Sequence, residues 1–566
     1  MENIIQFIHD NEWERAAEAV LEKLNNSEFN DILAILAATV NEHFGDDEMV
    51  FSFVLKGLEY NYKNYELYIL LGNYYAKRNA NQAYLCYENA EYFCEINGNK
   101  EDEEYISQIK DKFKKEHDVS IPSFSFVILS DDRIDVMKEC IDSIRRNCKA
   151  YTYELVVVDN ASTDGSREWL LSQKDITLIC NDKNVAASIR YNQGIAAASR
   201  NNDIMLLNAA TVMMPNTMFT LRLDLYNSDK NGVAECVSNY QLMETNLCEM
   251  SEYIKYSENN NLPDILCEYR PILNGDAMLI KRKVLDVIGG MDESFAVFED
   301  IDLCMSGLSH GYRNIFCWNS FIYSGEKQRI TDVTLMQKSR AVFMKKWGIT
   351  PDYYGNIRTD LISMIEQSED AIIHVLEVGC GMGATLGAIK YKYPNSYVYG
   401  IEVIESVAKL GNVNFDIICE DVEEAILPFE EEKFDYIIFG DVLEHLKYPE
   451  KVLNEMKRYL KPEGCVIASI PNLMNAETIY QLLHGFFPYE DSGIRDRTHL
   501  RFFTYYEIVN MLQRTGYQAT KVMAKYCDGF TTNDFKEFFD KLLEIQGVTE
   551  RKYFDVYQYL VCAKKL

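Results

Sequence analysis

Three glycines at alternate positions follow an apolar run in the C-terminal part of the chain. The run covers residues 372–378, and the glycines are Gly379, Gly381 and Gly383. The run predicts a buried parallel strand, and the residues after the glycines predict a helix. Glycine lets the chain turn tightly and lets a ligand approach the backbone. The stretch therefore predicts the strand, ligand-binding loop and helix of a nucleotide-binding α/β sheet.

A second apolar strand and an acidic residue follow at the spacing of a nucleotide-binding fold. The strand covers residues 396–401 and ends at Glu402, about twenty residues beyond the loop. An acid at this position accepts hydrogen bonds from ribose hydroxyls in such folds. Strand, loop, helix, strand and acid occur in this order, which favours a bound nucleotide over a chance cluster of glycines.

The spacing Glu-x-Gly-x-Gly-x-Gly that begins at Glu377 differs from the Gly-x-Gly-x-x-Gly of dinucleotide enzymes. It resembles the loop of class I methyltransferases that use S-adenosylmethionine. Residues 419–422 resemble the adenine-contacting segment of that family, residues 439–446 the strand end beside the methionine part, and residues 496–504 the substrate-side segment of sugar O-methyltransferases. The resemblance spans about residues 350–566. It implies that these residues hold the cofactor: Glu377, Gly379, Gly381, Gly383, Glu402, Asp421, Val422 and Asp441.

Methyl transfer to an oxygen or nitrogen needs a group that takes the acceptor's proton. The resemblance places three candidates at the ligand edge, namely Asp441, His445 and His499. Histidine titrates in the right range, and His499 is favoured for contact with the acceptor. A structural, hydrogen-bonded role stays open for either histidine. The transfer requires no metal in principle, and the sequence predicts no set of metal ligands.

At 566 residues the chain is too long for one hydrophobic core. Changes of pattern divide it into residues 1–118, 119–348 and 349–566, which we expect to be three domains. A formal net charge of −31 makes nucleic acid a poor partner. The start of the chain does not resemble a signal peptide, and no apolar run is long enough to span a membrane, so we expect a cytoplasmic protein.

Residues 1–118 contain no proline and follow a helical period throughout. Gly72, Ala83, Tyr87 and Ala90 resemble the small and aromatic positions of a tetratricopeptide repeat. Small residues let two antiparallel helices approach closely in that motif, and aromatic residues fill the gap. Two interpretations stay open. The region is either a surface for a protein partner or a second subunit, or a helical cap that packs only on the next domain.

Residues 119–347 alternate between predicted strands and helices, which indicates a parallel sheet. The strand 154–158 ends at Asp159, and Asp164 follows in a polar segment. An open sheet binds ligands beyond the carboxyl ends of its strands. Both aspartates are therefore expected at a nucleotide-binding edge.

At these residues the chain resembles family 2 glycosyltransferases of the GT-A fold. Residues 157–165 resemble the base-binding strand end of that family, and residues 184–194 the helix near the ribose and diphosphate. Residues 290–302 resemble the acceptor loop and the helix that carries the catalytic base, which would be Asp300. The resemblance implies that these residues bind a nucleotide sugar: Asp159, Asp164, Arg190 and Asn208.

The segment 208–211, Asn-Ala-Ala-Thr, stands where most relatives hold a divalent cation with an Asp-x-Asp-like motif. It has no carboxylate, and oxygen ligands with charge are what magnesium and manganese favour. The sequence therefore does not decide whether this domain binds a divalent cation. Either Arg190, Lys327 and Arg329 supply positive charge to the departing diphosphate without metal, or the domain no longer transfers sugar.

These patterns predict a multidomain chain with an α-helical N-terminal region, an α/β GT-A nucleotide-sugar fold and an α/β Rossmann-like class I methyltransferase. The leading hypothesis is a bifunctional transferase that moves a sugar from a nucleotide sugar, and a methyl group from S-adenosylmethionine, to a glycan or glycoconjugate. The alternative is a methyltransferase whose glycosyltransferase-like domain is a non-catalytic binding module. A protein partner, or self-association, through the N-terminal helices is one of the two open interpretations of that region.

Overall fold

The computed structural model describes residues 1–26, 28–97, 100–242, 247–264, 267–325, 332–351, 355–526, 531–545 and 549–566. Contacts separate two compact units, Met1–Pro351 and Asp352–Leu566. Across the described ranges, no helix is both long and apolar enough to cross a membrane. The expected boundary near residue 118 lies inside the first unit, and the division into three domains stays a prediction.

The first unit begins with a run of helices. These are α1 Glu2–His9, α2 Trp13–Asn26, α3 Asp31–Phe44, α4 Asp47–Tyr60, α5 Tyr65–Ala76, α6 Ala80–Asn97 and α7 Lys100–Glu116. Asn30, Asp46 and Asn64 stand before α3, α4 and α5, and each side chain accepts a hydrogen bond from a backbone N–H of the first turn. Such caps satisfy N–H groups that have no partner within the helix and so define where each helix begins.

Helices α5 and α6 form a tightly packed hairpin. A Cβ atom at Gly72 would overlap the ring of Tyr87. Ala83 and Ala90 are fully buried. The close approach expected from these small and aromatic residues is thus observed, because only glycine leaves room for the tyrosine ring. Membership of the tetratricopeptide class stays a prediction.

The same hairpin packs on helix α11, Thr217–Leu225, of the α/β part of the unit. The buried Arg222 guanidinium pairs with the Glu88 carboxylate at 2.5 Å. The side chain of Gln82 donates to the backbone oxygen of Leu223 at 3.1 Å. The helices therefore pack on the rest of the unit, which both interpretations of this region allow. Docking of a partner stays a prediction.

The α/β part of the first unit is built on a mixed sheet. Its strands are β1 Phe124–Ser130, β2 Tyr153–Asp159, β3 Ile176–Cys180, β4 Asp203–Asn208, β5 Thr211–Val212, β6 Asn231–Ser238, β7 Cys267–Tyr269, β8 Ala277–Ile280 and β9 Arg313–Ser324. They lie in the order β3-β2-β1-β4-β8-β6-β9-β5, and β7 pairs with β9. Strands β3, β2, β1 and β4 are mutually parallel, whereas β8 is antiparallel to both β4 and β6.

Helices of this part connect and cover the strands. They are α8 Ile134–Asn147, α9 Ser166–Ser172, α10 Ala187–Ala197, α11, α12 Met250–Asn260, α13 Arg282–Ile288, α14 Glu299–Ser309 and α15 Val333–Trp347. Strands β1, β4 and β6 are buried almost throughout. Burial on both faces explains why these strands are nearly continuous apolar runs rather than alternating ones.

The second unit holds another sheet. Its strands are β10 His374–Val378, β11 Tyr397–Glu402, β12 Asp416–Cys419, β13 Phe434–Gly440, β14 Leu460–Pro471, β15 Tyr517–Lys525 and β16 Gln558–Lys565. They lie in the order β12-β11-β10-β13-β14-β16-β15. Within this order, the first five strands, from β12 to β14, are parallel to one another. Strand β16 is antiparallel to both of its neighbours. The parallel half brings the ends of β10, β11 and β13 to one edge.

The helices of the second unit are α16 Thr359–Ile362, α17 Ala384–Lys392, α18 Glu405–Gly411, α19 Pro449–Met456, α20 Ala476–Leu483, α21 Tyr505–Arg514, α22 Lys536–Leu543 and α23 Lys552–Asp555, with a 3₁₀ turn at Leu443–His445. A helical region, an α/β part and a second α/β sheet thus follow one another along the chain. This confirms the predicted multidomain fold class.

Candidate functional site

The glycine-rich loop of the second unit joins β10 to α17. Gly379, Gly381 and Gly383 have φ angles of 68°, 56° and 84°. Residues with a side chain rarely adopt this left-handed region, which explains the glycines. A Cβ atom at Gly379 would lie 2.6 Å from a Val442 methyl group, and one at Gly383 would lie 2.6 Å from the Phe415 ring. The loop is therefore held in its shape by packing as well as by its backbone angles.

Glu402, the last residue of β11, bonds directly to this loop. Its Oε2 accepts a hydrogen bond from the backbone N–H of Gly381 at 2.9 Å, and its Oε1 accepts one from Ile404 at 2.9 Å. The side chain is buried, with 6% of the residue exposed. Each carboxylate oxygen has a second lone pair. The loop and the acid thus lie together, as the sequence predicted, with acceptor capacity left.

Glu377 lies at the next strand of the same edge and is also buried. No described residue hydrogen-bonds to its Oε2 atom. Burial raises the pKa of Glu377 to about 8. A buried acceptor without a donor costs free energy, roughly 1–3 kcal/mol in mutational data. The position therefore suits a ligand that brings a hydrogen-bond donor or a positive charge.

A small cleft of about 80 Å³ lies over this edge. Its lining consists of Asn356, Arg358, Glu377, Gly379, Cys380, Gly381, Ala384, Thr385, Gly440 and Asp441. Pockets for drug-sized ligands measure roughly 300–1,000 Å³. The cleft thus encloses only one end of a nucleoside-sized ligand, and the remainder would lie over the open edge.

Asp441 follows β13 with a φ angle of 57°, which is rare for a residue with a side chain. The Arg358 guanidinium donates to its Oδ2 at 2.5 Å, and the Ser469 hydroxyl donates to its Oδ1 at 2.8 Å. The Gln558 amide also donates to Oδ1. These bonds hold Asp441 against the cleft. Sequence reasoning missed Arg358, since it precedes β10 in a segment without periodicity.

Asp421 and Val422 follow β12, the strand beside β11. Cys419 is the register partner of Glu402, so Asp421 lies two residues beyond that position on the same edge. Its side chain is exposed, and its Oδ1 accepts a hydrogen bond from Glu423 at 2.9 Å. Val422 packs against the core of the unit. Neither residue lines the enclosed cleft, and adenine contact stays a prediction.

His445 and His499 are brought together although they are far apart in sequence. Their ring centroids lie 4.7 Å apart at an interplanar angle of 73°. The Nδ1 atom of His499 lies 3.0 Å from the backbone oxygen of Ile494, and that of His445 lies 3.3 Å from the backbone oxygen of Thr498. Burial and the neighbouring His499 lower the pKa of His445. Both imidazoles are thus held in place by carbonyl groups.

The second unit also contains a larger cavity of about 630 Å³. Residues 447–451 and 501–503 line it, together with Glu507, Met511 and Arg514. It contains none of the glycines, and so it does not replace the cleft as the cofactor site. Two of its lining segments begin two residues after His445 and two residues after His499 in sequence.

In the first unit, Asp159 ends β2 in a fully buried position. The Arg167 guanidinium pairs with its Oδ2 at 2.7 Å. No described group hydrogen-bonds to its Oδ1. Asp164 instead connects two helices, because its oxygens accept hydrogen bonds from the backbone of Ile134 and Ser166 at 2.7 and 3.0 Å. Nucleotide binding by these aspartates stays a prediction.

Arg190 and Asn208 are both engaged within the protein. Arg190 donates to the Asp131 carboxylate at 2.7 Å. The Oδ1 atom of Asn208 accepts a hydrogen bond from the backbone of Ala210 at 2.9 Å. The amide oxygen thus stabilises the turn into β5. Lys327 and Arg329, the other proposed sources of positive charge, lie outside the described residues.

Asp300, the second residue of helix α14, faces a glycine of another loop. A Cβ atom at Gly275, where φ is 76°, would lie 2.8 Å from Oδ2 of Asp300. Phe298, just before the helix, has a φ angle of 73°. Burial and the adjacent Asp300 raise the pKa of Glu299 to about 7. Strained backbone and shifted carboxylates cluster at functional sites, so the role of Asp300 as base remains a reasoned prediction.

Comparison with known proteins agrees with both halves of this description. The model of the family described as a methyltransferase domain matches residues 376–468. The model of glycosyl transferase family 2 matches residues 125–289. The first range contains the glycine loop, Glu402 and Asp441, and the second contains Asp159, Arg190 and Asn208.

Methyltransferases are among the individual relatives. The chain is 26% identical over 214 residues to the malonyl-(acyl-carrier protein) O-methyltransferase of Bacillus cereus, which is 35% of this chain and 76% of the relative. It is 29% identical over 126 residues to a ubiquinone biosynthesis O-methyltransferase of Coxiella burnetii, covering 19% of this chain and 52% of the relative.

Among solved structures, a SAM-dependent methyltransferase from Archaeoglobus fulgidus is 16% identical, with a TM-score of 0.28, and covers 40% of this chain and 99% of its own. By the family matches, residues 125–289 are similar to glycosyl transferase family 2, and residues 376–468 are similar to a methyltransferase domain.

Proposed function

We propose that the chain is a bifunctional glycan-modifying transferase. Its second unit binds S-adenosylmethionine and methylates a glycan or glycoconjugate, and its first unit transfers a sugar from a nucleotide sugar. The observation that carries the methyl-transfer half is the contact of Glu402 with the Gly381 backbone beside a buried, open acceptor on Glu377.

The residues of the cleft fit the cofactor. S-adenosylmethionine supplies a methyl group on a positively charged sulfur. The unpartnered Oε2 of Glu377 suits an ammonium group, which has three donors and no acceptor. The remaining lone pairs of Glu402 suit the two ribose hydroxyls. Arg358 and Asp441 close the end of the cleft beside Glu377 and would orient the methionine part.

On the acceptor side, His445 and His499 lie together beyond the end of β13. A neutral imidazole accepts a proton near neutral pH, which an acceptor hydroxyl must lose during transfer. The 630 Å³ cavity that follows them has the size of a ligand pocket, within the roughly 300–1,000 Å³ usual for such sites. This side is therefore where we place the acceptor sugar.

A direct test mixes the purified chain with S-adenosylmethionine and a panel of sugar acceptors and measures S-adenosylhomocysteine. We expect product from the wild type. The Gly381→Arg variant should form none, because a long side chain at this position enters the cleft. Equal product from that variant would overturn the assignment of the site, and its circular dichroism spectrum reports whether the variant is folded.

A second candidate function applies to the first unit alone. The segment 208–211 has no carboxylate, and the Asn208 oxygen is used by the backbone of Ala210. This favours a domain that binds a nucleotide sugar or glycan without turning it over. Screening nucleotide sugars for hydrolysis separates the two: release of free sugar supports transfer, and binding without release supports the binding module.

A further inference from the structure

Glu444, His445 and His499 form a compact cluster in the second unit. One potential ligand atom from each residue lies within 4.8 Å of the other two. Glu444 and His445 sit in the 3₁₀ turn after β13, and His499 lies in the loop before α21. Two imidazoles and a carboxylate are the donor set of many three-ligand sites for divalent transition ions.

The Glu444 side chain is an independent observation that points to a ligand. Only 1% of the residue is exposed, and neither carboxylate oxygen has a hydrogen-bond partner among the described residues. A buried carboxyl group with no donor on either oxygen is strongly disfavoured unless something compensates it. A positive ion held between this group and two imidazoles would compensate the buried carboxylate.

The two histidines are presented as metal ligands usually are. Each Nδ1 atom lies within hydrogen-bond distance of a backbone oxygen, that of Ile494 for His499 and that of Thr498 for His445. A carbonyl only accepts, and the Thr498 hydroxyl, 3.2 Å from Nδ1 of His445, donates its own proton to Asp496 at 2.6 Å. These contacts favour a proton on each Nδ1 and a free lone pair on each Nε2. An outer hydrogen bond of this kind fixes the tautomer and ring direction of ligating histidines.

The backbone also fixes the distance between the two segments. The main-chain oxygen of Glu444 accepts hydrogen bonds from Leu500 at 2.9 Å and from Arg501 at 3.0 Å. The two N–H donors belong to the residues directly after His499 in the chain. In addition, the loop is anchored by the buried Arg495, which pairs with Glu490 at 2.6 Å. The two segments of the cluster are therefore held by main-chain hydrogen bonds and by a side-chain ion pair.

We propose that Glu444, His445 and His499 bind one divalent transition-metal ion. The three ligands leave at least one coordination position, because zinc and its neighbours take four or more. Both histidines are only partly buried, so that position is open to solvent. Bonds of roughly 2.0–2.2 Å to one ion require ligand atoms no more than about 4.4 Å apart. Binding thus needs only a small inward rotation of the side chains.

This inference deepens the proposed methyl transfer, on which its functional part rests. An ion at this position would bind an acceptor hydroxyl in its open position and lower the pKa of that hydroxyl. With both imidazoles bound to the ion, the hydroxyl proton would pass to solvent, and this route replaces the imidazole base considered above. The site itself stands without this role, because the buried carboxyl and the orientation of the histidines do not depend on the acceptor.

The test measures bound Zn²⁺ per chain after equilibrium dialysis, followed by elemental analysis, without S-adenosylmethionine. Wild type is compared with Glu444→Gln, His499→Ala and the control His484→Ala, an exposed histidine outside the cluster. We expect wild type and His484→Ala to hold one ion more than the two cluster variants. The same number of ions in all four proteins would overturn the proposal.

Thermal unfolding gives a second readout that does not depend on counting ions. Zn²⁺ should raise the unfolding midpoint of wild type and His484→Ala but not of Glu444→Gln, since binding to the folded state stabilises it. An equal rise in every variant would refute the site. A retained site without S-adenosylhomocysteine formation would contradict only the proposed methyl transfer, so the two failures are distinguishable.

Discussion

The backbone N–H of Gly381 donates a hydrogen bond to Oε2 of Glu402 over 2.9 Å. This contact joins the loop after β10 to the end of β11. Gly381 has a φ angle of 56°, and Glu402 is 6% exposed, so neither position tolerates much change. The pair determines the shape of the edge on which we place the ribose and methionine parts of the cofactor.

The pH dependence of cofactor binding should follow Glu377. Burial raises its pKa to about 8, so it is largely neutral at pH 5.5. An ammonium group beside it favours the ionised form, and binding therefore releases a proton. We expect affinity for S-adenosylmethionine to rise several-fold between pH 5.5 and 7.0, up to about tenfold per pH unit as the limit for one linked proton.

The matched variant for this experiment is Glu377→Gln, which keeps the shape but cannot ionise. Titration calorimetry at both pH values should show little pH dependence in the variant. The same slope in wild type and variant would contradict the assignment of Glu377. The range ends at pH 7.0 because the ligand's own α-amino group titrates near pH 7.7–8.0.

Acid should lower the stability of the second unit, because it protonates Asp360. Burial alone would raise the pKa of Asp360, but hydrogen bonds from Arg358 and Lys525 lower it to about 2. The folded state therefore favours the ionised form. The resulting stability is present above pH 3.8, the ordinary value, and is lost as the pH falls towards 2. After allowing for partial exposure, its size is about 1–2 kcal/mol.

Thermal unfolding of wild type and Asp360→Asn checks this. We expect wild type to have the higher midpoint at pH 6, and the difference to shrink at pH 3. A difference that stays constant over this range would show that the Arg358 and Lys525 bonds do not act through ionisation of Asp360.

The helical hairpin should be sensitive to one methyl group. Gly72→Ala places a Cβ atom into the ring of Tyr87, and overpacking of this kind costs about 1–3 kcal/mol. The control is Gly307→Ala in α14, where the nearest atom would be 3.8 Å away. We expect a lower unfolding midpoint for the first variant and no loss for the second. Equal midpoints would mean that α5 and α6 are less tightly packed than described.

Nucleotide binding by the first unit should not require a divalent cation. The segment 208–211 offers no carboxylate, and Asn208 already bonds to Ala210. Calorimetry with a uridine diphosphate sugar should give dissociation constants that agree within about twofold with and without Mn²⁺. Without carboxylate ligands for the cation, binding of the nucleotide sugar should not depend on binding of Mn²⁺. A tenfold tightening by Mn²⁺ would contradict this. The measurement uses the Glu444→Gln variant, so that Mn²⁺ does not bind to the site proposed in the second unit.

The cofactor loop could be predicted from sequence because its information is local. Glycine spacing, a preceding apolar strand and an acid about twenty residues later determine the edge through short-range geometry. The structure confirms the strands and brings Gly381 and Glu402 into contact. Likewise, the sequence itself shows that residues 208–211 contain no carboxylate, whereas only the structure shows the hydrogen bond from Ala210 to Asn208.

Contacts between distant segments could not be predicted. Arg358 reaches Asp441 across 83 residues, and nothing in the local pattern around either one indicates the pairing. The cluster of Glu444 with His499 depends in the same way on how the loop before α21 folds back. The adjacent Glu444 and His445 were the one sequence signal for it, and the sequence interpretation considered only the histidine. Tertiary packing, rather than propensity, decides such sites.

The most direct measurement is calorimetric titration of S-adenosylmethionine into wild type, Glu402→Gln and the exposed control Glu405→Gln. Loss of a charged hydrogen-bond acceptor costs about 1.5–3 kcal/mol, or roughly 10- to 100-fold in affinity. The account predicts binding by wild type and Glu405→Gln, with Glu402→Gln weakened to this extent. Equally tight binding by Glu402→Gln, or no binding by wild type, would contradict it.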